Sequence, residues 1–207
     1  MKKDITTMMA AADRLIEQST NTRHIAILKN YRRHAMLEVS GRFDEIFDPS
    51  MTIENPRYVS YLPDGNRLIM NGQEEVRAHF YHQFITYGAS VMLLEDEHLA
   101  VADWGFGSEY ISNDYINAEV ARLRGFEVDD EDAMYLHRHG VVMTWRYDDD
   151  CRLIGEHVSM EPKGTLEKLA PEDVITVAEA KEKLAPLIGD PPPRLNKLGL
   201  PVEAVTA

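Results

Sequence analysis

The sequence holds a single cysteine, Cys151, among 207 residues. One thiol forms no internal disulfide and excludes a zinc site built from several thiolates. Cys151 lies in a turn with no sequence neighbour to activate it, and is expected to be inert. Positive charge is also scarce. Lys and Arg number 22 against 35 Asp and Glu, a net charge of −13. Such a chain repels phosphate backbones and anionic lipid, so neither nucleic acid nor a membrane is expected as a partner. No apolar run approaches the roughly 18 residues that a spanning helix needs. Asp13, Arg14 and Glu17 follow closely on the first residues, which offer no apolar stretch of the secretory kind, and a cytoplasmic location is expected. Gly-rich phosphate loops, nucleophile elbows and zincin helices are missing. So are internal repeats and low-complexity tracts.

What is present is the composition of a folded chain, 44% hydrophobic and 28% charged. Ile5, Met8, Met9, Ala12, Leu15 and Ile16 recur at helical spacing and predict an amphipathic helix over 5–17. Ser19–Thr22 breaks it and supplies caps for a second helix over 24–39, with Leu28, Tyr31, Ala35 and Val39 on one face. A short helix is expected over 41–47 and a short strand over 51–56, stopped by Pro56. Pro63-Asp64-Gly65-Asn66 has the chemistry of a hairpin turn between 58–62 and 67–70. A helix over 73–86 places Val76, Phe80 and Phe84 in line. Strands are predicted at 90–95, 98–112, 135–148 and 152–160, with turns at Glu95-Asp96-Glu97 and Asp148-Asp149-Asp150. Residues 113–131 read as a polar insertion, a guessed lid. Residues 162–207 read as an extension with one helix, capped by Thr176 and Glu179, and a stiff Pro191-Pro192-Pro193 segment. Helices first and long antiparallel strands last predict an α+β fold, a curved sheet packed on helices around a pocket.

At this point the chain resembles the NTF2-like superfamily, the cone-shaped α+β barrel of ketosteroid isomerase, scytalone dehydratase and the SnoaL-like cyclases. The matching pieces are the 24–47 helical stretch, "DPSMTIENP" at 48–56, "NGQEEVRAHFY" at 71–81, "LAVADW" at 99–104 and "WRYDDDCRLIGEHVSME" at 145–161. The resemblance implies one NTF2-like domain over 1–161, a small-molecule pocket, and a homodimer or homotrimer. It sets Tyr31 at the place of the family's oxyanion-donating tyrosine. It sets Asn55 where the isomerases carry their aspartate base, and Met143 where they carry a second oxyanion donor. An amide takes no proton at neutral pH and a thioether donates none, so isomerase chemistry in its usual form is lost.

Other residues could rebuild the pocket. Alternation places Ala100, Ala102, Trp104, Phe106, Ser108 and Tyr110 on one inward face, and Glu156 close to Met143 among apolar neighbours. A carboxyl desolvated there gains a raised pKa suited to proton transfer. His79 and His139 are the histidines expected to share that work, with Tyr31 and Asn55 beside them. Arg32, His34, Tyr58, Trp104 and Met143 are expected to contact substrate. His137-Arg138-His139 could chelate a metal, but no carboxylate follows at a suitable spacing, and neither a metal nor another cofactor is expected. The combined expectation is a cofactor-independent lyase for a hydroxylated aromatic substrate. Similarity to gamma-formaldehyde lyases of lignin-derived diarylpropanes implies the loss of formaldehyde and water to give a stilbene. A dehydratase or cyclase of a polyketide-like substrate, or a non-catalytic binding module, are the alternatives; charge inside the pocket separates enzyme from binder.

Overall fold

The computed structural model describes residues 2–62, 65–196 and 200–201. Of the expected hairpin turn, Pro63 and Asp64 lie outside the described residues.

A 3₁₀ turn over Ile5–Thr7, capped by the Asp4 side chain, precedes α1 (Ala10–Gln18). The expected single helix is thus two pieces. Asn21 caps α2 (Thr22–Val39) by accepting from the amides of Arg23 and His24. Ten side chains of α2 are buried, and they point around most of its circumference. Such a helix must be covered on nearly all sides. The covering comes from α1, from α7 (Val177–Ile188) near the C-terminus, and from the sheet. Polar ties fix it there. Asn30 Nδ2 donates to the carbonyls of Met51 and Cys151, and Arg32 and Arg33 donate to those of Leu187 and Gly189. Arg32 also pairs with Asp13 at 2.6 Å, so it clamps helices together instead of facing a pocket.

After the short α3 (Phe43–Ile46), the expected strand over 51–56 is reduced to one bridge, Thr52 to Leu153. The strands proper are β1 (Arg57–Tyr61), β2 (Arg67–Asn71), β3 (Met92–Ala102), β4 (Gly105–Asn117), β5 (Met134–Tyr147), β6 (Leu153–Met160) and β7 (Thr165–Lys168). They form a curved, unclosed sheet in the order β2-β1-β6-β5-β4-β3, with β7 on β5. The α+β class stands. Pairing is antiparallel except between β1 and β6, which run parallel. Two strand readings change. The Glu95-Asp96-Glu97 turn is a bulge inside β3, with Asp96 at φ 54°. The β3–β4 turn instead falls at Asp103-Trp104, which shifts the preceding alternation. Leu99 and Val101 pack on the core while Ala100 is exposed. Residues 113–117 continue β4, and only from Ala118 does the chain leave the sheet, as α6 (Ala118–Leu123) over a small second core.

Between β2 and β3 runs α4 (Gly72–Val76), then a π turn (Arg77–Tyr81), then α5 (His82–Tyr87). The amide of His82 reaches back five residues to the carbonyl of Arg77. That one-residue widening brings Tyr81 onto the buried face with Val76 and turns His79 to solvent. Helical spacing alone could not place either.

A bulge at Gly155 aligns β6 with both neighbours. Its φ is +154°, and a Cβ there would lie 1.9 Å from the Arg57 carbonyl oxygen. Gly155→Ala must push β1 off β6. It is expected to cost at least about 2 kcal/mol in urea denaturation, and a loss below about 0.5 kcal/mol would contradict this close approach.

Candidate active site

The inner face of β5 is a continuous row of buried side chains: His137, His139, Val141, Met143, Trp145 and Tyr147. Its register with β6 sets Trp145 opposite Glu156 and Met143 opposite Val158. Glu156 is therefore one pair away from the neighbour expected for it. It is 3% exposed, and its Oε1 has no hydrogen-bond partner. No cation pairs with it among the described residues; Glu38 is the charged group that acts on it. Burial first, and the Glu38 charge second, push its pKa well above the ordinary carboxylate range. Glu156 is thus built to hold a proton near neutrality.

Around it stand polar groups with unused capacity. The Tyr147 hydroxyl, Trp145 Nε1 and His34 Nδ1 are buried without partners, and the Tyr58 hydroxyl has none of ordinary geometry. Tyr81 donates to Glu38 at 3.3 Å and meets His34 Nε2 at 2.9 Å. Glu38 also lies 3.5 Å from that nitrogen, so Tyr81, His34 and Glu38 form one buried cluster. His34 Nδ1 has no partner within it. The His34 ring lies edge-on to Trp145, with centroids 4.5 Å apart. Buried polar atoms are nearly always paired, so these leave donors and acceptors open to water or a ligand.

A second acid lies at the β3 bulge. The Tyr31 hydroxyl donates to Glu97 Oε1 at 2.8 Å, and Ser108 donates to the same oxygen at 2.7 Å. Burial raises Glu97 while these two donors lower it, with a net rise. Tyr31 is fully buried between Phe106 and Trp145, and its phenol is already engaged. The expected partnership of Tyr31 with Glu156 does not form.

Of the residues expected at the site, the fold brings together Glu156, His34 and Tyr58, with Met143 diagonal to Glu156. Asn55 and His79 are exposed. Trp104 sits at the β3–β4 turn, 51% exposed, on a cleft of about 400 Å³ shared with Thr144, Arg146 and Ile154. Turn residues point to solvent, and the missed turn is why Trp104 was expected inside. His139 is buried but held by Asp114 at 3.0 Å. Glu38, Tyr81, Tyr147, Glu97 and Asp114 were not anticipated. Tyr147 and Asp114 follow from extending the alternation of β5 and β4, whereas Tyr81 and Glu97 depend on the π turn and the bulge. Four surface clefts, of about 280–680 Å³, lie around the fold, and Glu156 lines none of the four. Glu97 lines the smallest, with Ala11, Arg14 and Leu15. No helix among the described residues is long and apolar enough to cross a membrane.

No family model matches the chain, and no curated relative matches it. Solved structures resemble its shape. A phenazine biosynthesis-related protein from Pseudomonas aeruginosa is 11% identical at a TM-score of 0.46, over 66% of this chain and 77% of its own. An NTF2-like superfamily protein from Salmonella enterica is 14% identical at 0.44, over 74% and 99%. An epoxide hydrolase/cyclase-like enzyme of pyran ring formation in salinomycin is 12% identical at 0.41, over 65% and 88%. Likeness at this level describes the arrangement of the chain, and the chemistry has to come from its own residues.

The buried acid has a thermodynamic signature. Folding raises the Glu156 pKa above its ordinary 4.5, so the folded chain keeps a proton that the unfolded chain releases. The stability tied to that proton is full below the unfolded value and is lost as pH rises through the folded one. Glu156→Gln cannot ionise. It is expected to raise the thermal midpoint more at about pH 8 than at about pH 5. Equal shifts at both would show that Glu156 is not held protonated.

Proposed function

We propose that the chain is an enzyme performing acid–base chemistry on a small hydroxylated aromatic molecule, with Glu156 as general acid. The observation that carries this reading is the buried Glu156 carboxyl, with no pairing cation among the described residues, set opposite Trp145 and near Tyr147, whose Nε1 and hydroxyl have no partner. Protein side chains leave these groups unsatisfied, and a ligand bearing hydroxyls and flat rings suits them. Tyr58, Trp145 and Tyr147 are 1–4% exposed and Glu156 lines none of the four clefts, so these rings must part to admit the ligand and then stack on it.

The reaction we favour is elimination from a diaryl 1,3-diol. His34 Nδ1 takes the proton of the primary hydroxyl. The bond between the carbinol carbon and its neighbour breaks, releasing formaldehyde, and its electron pair forms the new double bond. The second hydroxyl leaves from the far carbon and takes the Glu156 proton, giving water and a stilbene. His34 then returns the proton to Glu156 through solvent or product, and the cycle closes. The step is neutral in electrons and protons, so one acid and one base account for it. Of the histidines first expected as base, His79 is turned outward and His139 pairs with Asp114 at the other end of β5, whereas His34 stacks edge-on to Trp145, the residue opposite Glu156. Tyr81 connects it to Glu38 and can steady the imidazolium.

Incubation with a panel of diaryl 1,3-diols, followed by stilbene absorbance and released formaldehyde, tests this directly. Equal amounts of both products are expected. Glu156→Gln is expected to lower kcat by about 10²–10⁴ while the variant still binds the diol. Full activity in Glu156→Gln would remove the acid. Diol binding without turnover in the native chain would make it a binding module instead.

A further inference from the structure

At the opposite end of β5, three donors from two strands converge. The β4–β5 register sets Asp114 opposite His137 and Ser112 opposite His139, all facing inward. One donor atom each of Asp114, His137 and His139 falls within 4.8 Å of the others. The carboxylate absent from the sequence after His137-Arg138-His139 is supplied by the neighbouring strand. Asp114, His137 and His139 are 4–6% exposed.

Two of the three donors are oriented from behind. His137 Nε2 lies 2.7 Å from the carbonyl of Lys163, and only a ring N–H can make that bond. His137 Nδ1 is therefore a bare lone pair facing the centre. Ser112 donates to Asp114 Oδ1, which turns Oδ2 toward the same point. His139 Nε2 is 3.0 Å from that Oδ2, and its Nδ1 has no partner. The two imidazoles stack, with centroids 4.4 Å apart. Carbonyl and hydroxyl groups that fix histidine tautomers and carboxylate rotamers are the outer support that metal centres use.

A cation already occupies the middle. Arg124 Nη1 lies 2.6 Å from Asp114 Oδ2 and 2.5 Å from His137 Nδ1. Arg124 follows α6 directly, and its side chain is 30% exposed. It reaches in from the rim, so its withdrawal opens the centre to solvent by the path it occupies.

We propose that Asp114, His137 and His139 bind one divalent transition-metal ion of the zinc class, with Arg124 as the resident cation that the ion replaces. Two imidazoles and one carboxylate match the ligand preferences of such ions, and three protein ligands leave a position for water or a substrate oxygen. The exchange sets a double positive charge where a single one stood, beside one carboxylate. This centre is separate from the acid at Glu156, so either can fail without the other.

The full chain, stripped with a chelator, is titrated with Zn²⁺ by calorimetry and with Co²⁺ by visible absorption. One ion per chain is expected, with the intense visible bands of low-symmetry Co²⁺. Arg124→Met, which removes the competing cation and leaves the ligands, is expected to bind about tenfold more tightly. His139→Ala is expected to lose at least about 100-fold in affinity. Should that variant fail to fold, the native chain and Arg124→Met still decide the matter. Absence of binding in both overturns the proposal. Binding by Arg124→Met alone overturns it as well, because Arg124 would then be a permanent cation.

Discussion

A carboxyl buried opposite a tryptophan, with no counter-cation among the described residues, is the constraint on which the rest of the structure turns. Glu156 is held there by strand pairing: the β5–β6 register faces it with Trp145, and the Gly155 bulge lets β1 close against the other edge. Burial of an ionised carboxylate without a partner is prohibitively costly, so the group is kept protonated, and a protonated carboxyl buried among tyrosines still lacks a full set of hydrogen bonds. The fold thus carries a local penalty that core packing elsewhere must offset. The main core, with α2 enclosed among α1, α7 and the sheet, provides that support.

The inner face of β5 carries two chemically opposite centres. At the Trp145 and Tyr147 end, a carboxyl has aromatic and hydroxyl neighbours and, among the described residues, no cation. At the His137 and His139 end, a carboxylate accepts from Arg124, His139 and Ser112 together, and those contacts hold Asp114 far below the ordinary carboxylate range in spite of its burial. Tyr110 lies between them and is influenced by acids of both. The same residue type is thus prepared as a proton donor at one end and as a fixed negative charge at the other, by the donors around it alone.

The long strands, the enclosed second helix and the α+β class were legible because they rest on local periodicity. Alternation through His137–Trp145 named the correct face of β5 before any geometry. The losses came where the backbone departs from regular repeat. The bulge at Asp96 turns Glu97 toward Tyr31, the turn at Asp103 puts Trp104 outside, and the π turn exchanges His79 for Tyr81. None of these is encoded in spacing. Asp114 was missed for another reason: polar residues at 113–117 read as loop, although Asn113 and Asp114 are buried in the sheet by partners drawn from β3, β5 and Arg124 just past α6. A chain can bury polar residues in a strand when the neighbouring strand supplies their partners, and sequence order does not show which strand that will be.

The central claim is that Glu156 is a neutral acid in the folded chain at neutral pH. Infrared difference spectroscopy between the native chain and Glu156→Gln, each folded at neutral pH, reads this most directly. The account predicts a carbonyl stretch of a protonated carboxyl that is present in the native chain and lost in the variant. A native spectrum that loses only carboxylate bands on substitution would mean that Glu156 is ionised, and the interior acid would not exist.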